Sequence, residues 1–146
     1  MSAPITTQIE HADQRVRHRY AVCAEGLLRL EAQRVAVARL VAHAHQHAEE
    51  DAEAQDAWER FLGYLEDDRQ FLDELYLEFQ SGQRSAERII KQVARNPHKP
   101  EQLSLLESLE SFLEKRERMV TEMFAEEQER LQTYQLVERQ LREDSR

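Results

Sequence analysis

Apolar residues recur every three or four positions from residue 16 to residue 93, and this spacing limits the possible folds more than any other feature. Residues so spaced line one side of an α-helix, whereas a half-buried strand alternates with a period of two. Eighteen of the 23 positions are apolar, against 40% of the whole chain, which predicts long helices with a coiled-coil-like seam. The register is Val16, Tyr20, Cys23, Leu27, Leu30, Arg34, Val37, Val41, Ala44, Ala48, Asp51, Gln55, Trp58, Leu62, Leu65, Arg69, Leu72, Tyr76, Phe79, Gln83, Ala86, Ile90, Val93.

The same spacing resumes after Pro100 and continues to Leu141. Leu105, Phe112 and other apolar residues widen this second stripe, which indicates packing against more than one neighbour. Only three Gly and three Pro occur, too few turn residues for a many-stranded sandwich or barrel. The sequence therefore predicts an all-α fold. Members of the second stripe are Leu106, Leu109, Leu113, Val120, Met123, Tyr134, Val137 and Leu141.

Two breaks and one ambiguous stretch divide the pattern. The Pro-containing segment 96–100 is the strongest break, and Ser81-Gly82 predicts a weaker one in the second helix. Residues 42–57 lack large apolar side chains, yet they contain no Gly or Pro. They form either a turn or the middle of one very long N-terminal helix that pairs with an antiparallel C-terminal helix.

We favour the turn, because a helix with nothing to bury gains little from packing. The prediction is then one domain, 1–146, that forms an elongated up-down-up bundle of three long helices. The expected helices are about 8–48, a second in two pieces (57–80 and 85–95, broken near Gly82), and 100–143.

Charge is unevenly distributed along a chain with a net charge of −9. Residues 41–80 hold twelve acids and two Arg, whereas residues 81–100 hold five Lys or Arg and one Glu. Arg34 and Arg69 interrupt the apolar register, so each is expected to be exposed or paired with acids across a partner helix. Polar seam residues of this kind can set oligomeric state, which makes a homodimer plausible.

Several classes of protein are set aside. No apolar run approaches the roughly 18 residues of a membrane span, so no membrane insertion is expected. The N-terminus has neither a basic region nor an apolar core like a secretory signal, which favours a cytoplasmic protein. The single cysteine, Cys23, falls on the apolar stripe and is expected to pack as a small hydrophobe.

No catalytic motif is present. The sequence has no Gly-rich phosphate loop, nucleophile elbow or zincin motif, so we expect no enzyme, no cofactor and no small-molecule substrate. His43 and His47 are one helical turn apart, with Glu50 close by, and form a weak candidate metal or pH-sensing set. A solvated histidine run, with His45 between them, is the favoured interpretation.

Two groups of residues are candidates for partner binding. Trp58, Phe61 and Tyr64 mix aromatic rings with acids, although the favoured role of this segment is core packing. A short basic amphipathic segment follows, which could instead complement the acidic middle within the fold. Its candidate residues are Arg84, Arg88, Lys91 and Arg95.

The resulting hypothesis is a non-catalytic helical protein-interaction module of the adaptor, chaperone or inhibitor type. It would bind another protein, or itself as a homodimer, through an acidic, coiled-coil-like surface. Two alternatives stay open: a His-dependent metal- or pH-responsive protein, and a nucleic-acid-associated regulator that uses residues 84–99. The acidic balance makes nucleic-acid binding the least favoured.

Overall fold

The computed structural model describes residues 4–144, and within that range it contains three α-helices and no strand. Helix α1 covers Ile5–Glu50, α2 covers Gln55–Arg95 and α3 covers Glu101–Asp144. The predicted all-α class and three-helix bundle are confirmed, and the predicted outer bounds are correct to within one helical turn. Across the described residues, no helix combines the length and apolarity that crossing a membrane requires.

A short turn separates α1 from α2, as the favoured interpretation predicted, so one very long N-terminal helix is wrong. The Asp51 carboxylate accepts a hydrogen bond from the Ala54 backbone N–H at 3.2 Å, which satisfies a backbone donor in this turn. The turn is shorter than the polar stretch that predicted it, because α1 continues to Glu50.

The second break falls at residues 96–100, as predicted. The Asn96 N–H donates to the Val93 carbonyl at 3.1 Å, and the Gln102 side-chain amide donates to the Asn96 carbonyl at 3.3 Å. Pro100 then stands immediately before the first residue of α3, where its fixed φ suits the start of a helix.

The predicted break of the second helix near Gly82 is wrong, because α2 runs without interruption from Gln55 to Arg95. Gly82 is buried, and a Cβ atom there would collide with the guanidinium of Arg116. That guanidinium lies over the rings of Phe79 and Phe112, 5.1 and 4.5 Å from their centroids. The glycine therefore allows a close side-chain approach and does not end the helix.

The residues divide into two compact units. The first unit combines the described residues up to Leu28 with Leu77–Glu122. Contacts between α1 and α3 pair rising numbers on both helices, as in Arg19–Glu117 at 3.2 Å, so these helices run parallel in this unit. The buried core residues of this unit are Ile9, Ala12, Val16, Cys23, Ala86, Ile90, Val93, Leu106, Leu109 and Leu113.

The second unit combines Arg29–Tyr76 with the described residues from Met123 onward. Arg34 pairs with Asp73 at 2.9 Å, and His45 lies 3.2 Å from Glu66. Numbers that rise on α1 therefore fall on α2, so these helices are antiparallel here. The buried core residues are Val37, Leu40, Val41, Ala44, Ala48, Trp58, Phe61, Leu62, Leu65, Leu72 and Leu131.

Candidate functional site

The three aromatic candidates have different environments in the second unit. Trp58 is 1% exposed and Phe61 is 5% exposed, so both belong to the core, whereas Tyr64 is 70% exposed. The Trp58 ring stacks on the His47 ring, with the two ring centroids 4.6 Å apart. The ring centroids of Phe61 and Tyr134 are 6.2 Å apart. Core packing is thus confirmed for Trp58, and Tyr64 is the member of the trio that presents an aromatic ring to solvent.

Tyr64 stands over a groove between α2 and α3 of the second unit. One cavity of about 440 Å³ and a second of about 330 Å³ share Tyr64 and Tyr134 in their walls, so the two are adjacent. We call the two cavities together the α2–α3 groove. Its lining residues are Ala57, Arg60, Phe61, Tyr64, Asp67, Asp68 and Phe71 on α2, with Arg130, Thr133, Tyr134, Val137 and Leu141 on α3.

Helix periodicity explains why these side chains meet in one groove. The α2 members are spaced three or four residues apart and therefore project from one face of the helix. The α3 members follow the same rule from Arg130 to Leu141. Tyr64, Phe71 and Val137 remain exposed although they are large and apolar or aromatic. The groove is consequently a partly apolar surface, with charged side chains in its lining, that the second unit leaves uncovered.

A buried pair of carboxyl groups lies beside this groove. Glu127 is 0% exposed and Asp68 is 8% exposed. The Arg130 Nε lies 2.9 Å from Glu127 Oε2 and 3.5 Å from Asp68 Oδ1. The other two oxygens, Glu127 Oε1 and Asp68 Oδ2, are buried and receive no hydrogen bond from a donor among the described residues. Two full charges are thus matched by one guanidinium.

A proton resolves this mismatch. Burial, together with the hydrogen bond and the charge of Asp68, raises the pKa of Glu127 to about 8, although Arg130 acts in the opposite direction. A raised pKa favours the protonated form of Glu127 at neutral pH, in which its carboxyl group can donate a hydrogen bond to Asp68. Burial also raises the pKa of the Tyr134 hydroxyl. The charges of Asp68 and Glu127 act in the same direction.

The position of the pair limits its chemistry. Asp68 lines the groove, so its carboxylate can accept a hydrogen bond from an occupant, whereas Glu127 is not among the lining residues. The guanidinium of Arg130 also lies over the Phe71 ring, 5.9 Å from its centroid. The groove therefore offers aromatic and apolar contacts beside polar side chains, two of which, Asp68 and Arg130, pair with each other.

Sequence analysis missed both carboxyl groups, although a signal was present. The register placed Arg69 between Leu65 and Leu72, but Asp68 satisfies the same three-to-four spacing, and Asp68 is buried while Arg69 is exposed. Glu127 fills the gap in the α3 stripe between Met123 and Tyr134. A carboxyl group at an apolar position was the clue in each case.

Arg34 is half-buried and paired with Asp73, as one of its two predicted outcomes required.

The histidine run lies on the last turns of α1. His43, His45 and Glu50 are exposed, while His47 is half-buried against Trp58. His45 Nε2 lies 3.2 Å from Glu66 Oε1, an exposed contact. Within residues 4–144, no three His, Cys, Asp or Glu side chains come close enough together to hold a metal ion.

Cys23 packs inside the first unit, which confirms its expected role as a small hydrophobe. Its Sγ donates to the Leu113 carbonyl at 3.4 Å, and burial raises the pKa of the thiol. A thiol with these surroundings is a poor nucleophile.

The four basic candidates are all exposed on α2 in the first unit. Lys91 pairs with Glu87 at 3.0 Å, one turn away on the same helix. Arg84, Arg88 and Arg95 make no ion pair with any residue that the structure describes. Contacts at these three residues therefore give no support to the alternative that the basic segment pairs with the acidic middle within the fold.

Comparison with protein-family models finds no match, and comparisons with curated proteins and with solved structures find no similar protein.

Proposed function

We propose that this chain is a non-catalytic helical protein-interaction module of the adaptor, chaperone or inhibitor type. In this proposal the α2–α3 groove receives an amphipathic helix from a partner protein in the cytoplasm. The observation that carries the proposal is Tyr64, whose ring is 70% exposed at the edge of an uncovered apolar groove. Exposed aromatic side chains that border a pocket are preferred anchors of protein interfaces.

The length of the groove suits a helix. Its α2 wall extends from Ala57 to Phe71, a span of about 21 Å at a rise of 1.5 Å per residue. A partner helix of about four turns covers that span and presents an apolar stripe of residues three or four apart. Phe61 and Tyr134 would form the floor beneath that stripe, with Tyr64 and Val137 at its edges.

Charge favours a partner with basic flanks. Residues 41–80 carry twelve acids against two Arg, whereas the groove lining itself is balanced, with Asp67 and Asp68 against Arg60 and Arg130. The acidic surroundings of the groove are therefore what a basic flank would contact. Complementary charge accelerates association and discriminates against acidic competitors. A helix whose apolar stripe is bordered by Lys or Arg is therefore the occupant we propose.

The non-catalytic part of the proposal is supported by the state of the buried carboxyl pair. Glu127 holds its proton away from the groove lining, and Asp68 is engaged by Arg130. An acid–base couple needs both groups within reach of the reacting atoms. The metal-responsive and nucleic-acid alternatives remain predictions, and for the histidines no described contact favours a metal.

Substitution of Tyr64 by Ser tests the proposal, with Leu28→Ser as a matched control, since Leu28 is equally exposed in the first unit. Wild type and both variants are immobilised, and proteins retained from native-cell extract are quantified by mass spectrometry. We expect at least one protein to bind wild type and Leu28→Ser but to lose about tenfold or more in affinity for Tyr64→Ser.

The retained protein is then purified and its bound segment mapped by peptide arrays. A helical segment with an apolar stripe and basic flanks agrees with the proposal. Retention that Tyr64→Ser leaves unchanged, or a bound segment that is acidic, would refute it. Circular dichroism checks that both variants fold, because surface substitutions usually change stability by less than about 0.5 kcal/mol.

A further inference from the structure

The smaller cavity of the α2–α3 groove combines aromatic rings with carboxylates, and it lies wholly within the second unit. Its volume is about 330 Å³. The four α2 side chains of its lining share one face of the helix, because they follow a three-to-four spacing. Two aspartates therefore lie between two aromatic residues that are two turns apart, about 10 Å along the helix axis. The lining residues are Tyr64, Asp67, Asp68 and Phe71 of α2, with Arg130 and Tyr134 of α3.

This cavity has an excess of negative charge. Asp68 is 8% exposed and pairs with Arg130 at 3.5 Å. Asp67 is exposed and makes no ion pair with any residue that the structure describes. Arg60, which balances the groove lining as a whole, lines only the larger cavity. The charge of Asp67 is therefore unmatched in the smaller cavity, whether or not Glu127 holds its proton.

The aromatic rings supply a second attraction for a cation. The negative face of a ring attracts a cation that lies within about 6 Å of the ring centroid. The Arg130 guanidinium already lies over the Phe71 ring, 5.9 Å from its centroid. No cation from residues 4–144 lies over the rings of Tyr64 and Tyr134, and Tyr64 is 70% exposed. Both tyrosine rings are thus available to a cation that enters from solvent.

We propose that the smaller cavity binds the ammonium group of a lysine, which contacts the rings of Tyr64 and Tyr134 and pairs with Asp67. This inference rests on the proposed function, since the lysine belongs to the helix that the groove receives, and it names the residue that the groove recognises. The long apolar stem of a lysine can lie along the apolar part of the groove while its charged end reaches the carboxylate.

The donors and acceptors of the cavity favour lysine over two other cations. An arginine gains most where it bonds a carboxylate through two parallel N–H groups, and Arg130 already provides the cavity with a guanidinium. A quaternary ammonium ion such as choline is attracted by the rings but has no N–H to donate to Asp67. A primary ammonium group is a compact charge with three donors, so it satisfies the rings and the carboxylate together.

NMR titration of the full chain tests the site without the partner protein. The probe is Nα-acetyl-lysine methylamide, added at constant ionic strength while backbone amide shifts are followed. We expect saturable shifts at Tyr64, Asp67 and Phe71, with half-saturation on the order of 10 mM. The Nε-acetylated form of the probe has the same stem without the charge and should give no saturable shift. Choline and Nα-acetyl-arginine methylamide should both bind more weakly than the lysine probe.

Substitutions separate the carboxylate from the rings. Asp67→Asn removes the unmatched charge and should weaken binding of the lysine probe about threefold or more. Tyr64→Leu keeps an apolar side chain without a ring and should weaken it to a similar extent, whereas Tyr64→Phe should recover most of the affinity. Glu74→Gln removes an exposed carboxylate of α2 outside the cavity and should leave binding unchanged. The NMR spectra also show that each variant is folded.

Three outcomes would overturn the inference: no saturable shift with the lysine probe, equal binding of its Nε-acetylated form, or equal binding by Asp67→Asn and wild type. Tighter binding of choline or of the arginine probe would also overturn the assignment to lysine. Failure of the groove proposal is distinguishable. If the lysine probe does not bind but Tyr64→Ser still loses a partner protein, the groove proposal stands alone. If the probe binds but Tyr64→Ser retains every protein, the ammonium site stands and the groove proposal is wrong.

Discussion

The two units use the same three helices but build different cores. The first unit packs aliphatic and small residues, and the polar residues buried there as a whole are uncharged. Cys23 donates to the Leu113 carbonyl and Gln83 to the Tyr20 carbonyl. The second unit packs Trp58 and Phe61 and also buries a pair of carboxyl groups. Neutral donors are satisfied by the helix backbone, whereas the carboxyl pair requires both a guanidinium and a proton.

This difference indicates where the chain gives up stability for other properties. Replacing a buried ionic cluster by apolar residues often stabilises a protein, so such a cluster is weak evidence for stability. In the second unit the cluster adjoins the uncovered groove and Tyr64, on which the proposed partner binding rests. The first unit buries no comparable carboxyl pair among its described residues. We infer that the second unit carries the groove function and that its stability depends on pH.

Truncation of a large core residue in each unit is the strongest perturbation. Trp58→Ala removes a ring that stacks on His47 and is expected to cost about 3–5 kcal/mol, while Leu113→Ala in the first unit is expected to cost about 2–5 kcal/mol. Chemical denaturation followed by circular dichroism gives both values. Leu28→Ala, an exposed position, is the control and should change stability by less than about 0.5 kcal/mol. A cost for Trp58→Ala as small as the control would contradict its place in the core.

The substitution Glu127→Gln tests whether the buried carboxyl pair of the second unit makes the stability of the protein depend on pH. The folded pKa of Glu127, about 8, lies above its ordinary value of 4.5, so the unfolded chain releases this proton at lower pH than the folded chain. Stability contributed by the protonated carboxyl is complete below about pH 4.5 and is lost as pH rises to about 8. Glu127→Gln keeps a donor for Asp68 without the titration, and it should stabilise the protein at pH 8 by on the order of 2 kcal/mol relative to wild type.

The measurement is the free energy of unfolding at pH 5, 6.5 and 8 for wild type and Glu127→Gln. The advantage of the variant should grow across this range. Glu126→Gln, at the adjacent exposed position, should show the pH profile of wild type. Parallel profiles for Glu127→Gln and wild type would mean that Glu127 does not hold a proton in the folded protein.

Much of the fold was predictable because it depends on local periodicity. The three-to-four spacing located the helices, and Pro97 and Pro100 located one of the two turns. The polar stretch 42–57 located the other turn only approximately. The position of this turn at Asp51 depends on the hydrogen bond from the Ala54 N–H to the Asp51 carboxylate, which the spacing of apolar residues does not reveal.

The errors share one physical cause, which is contact between residues distant in sequence. Gly82 was interpreted as a break because, in a sequence, a glycine that ends a helix cannot be distinguished from one that leaves room for a neighbouring side chain. Only the structure shows that the Arg116 side chain occupies that room. Asp68 and Glu127 lie on different helices, and periodicity shows the face of each but not its partner. The groove was missed for the same reason, although Tyr64 was already a candidate.

Glycine-to-alanine substitutions give the smallest predicted effects and the closest comparison between the units. In the first unit, a Cβ atom at Gly26 would lie 2.6 Å from Val120 Cγ1, and Val120 is buried, so Gly26→Ala should destabilise by about 1–2 kcal/mol. In the second unit, Gly63 faces open space, so Gly63→Ala should stabilise by about 0.5–1 kcal/mol through the better helix propensity of alanine. Thermal unfolding of both variants measures whether each substitution raises or lowers the stability of the protein. Val120→Ala should relieve the crowding in Gly26→Ala, since it removes the methyl group that Cβ would meet. If Gly26→Ala stabilises the protein as Gly63→Ala does, the close approach of α1 and α3 at Gly26 is wrong, whereas a destabilising Gly63→Ala would contradict the open space at Gly63.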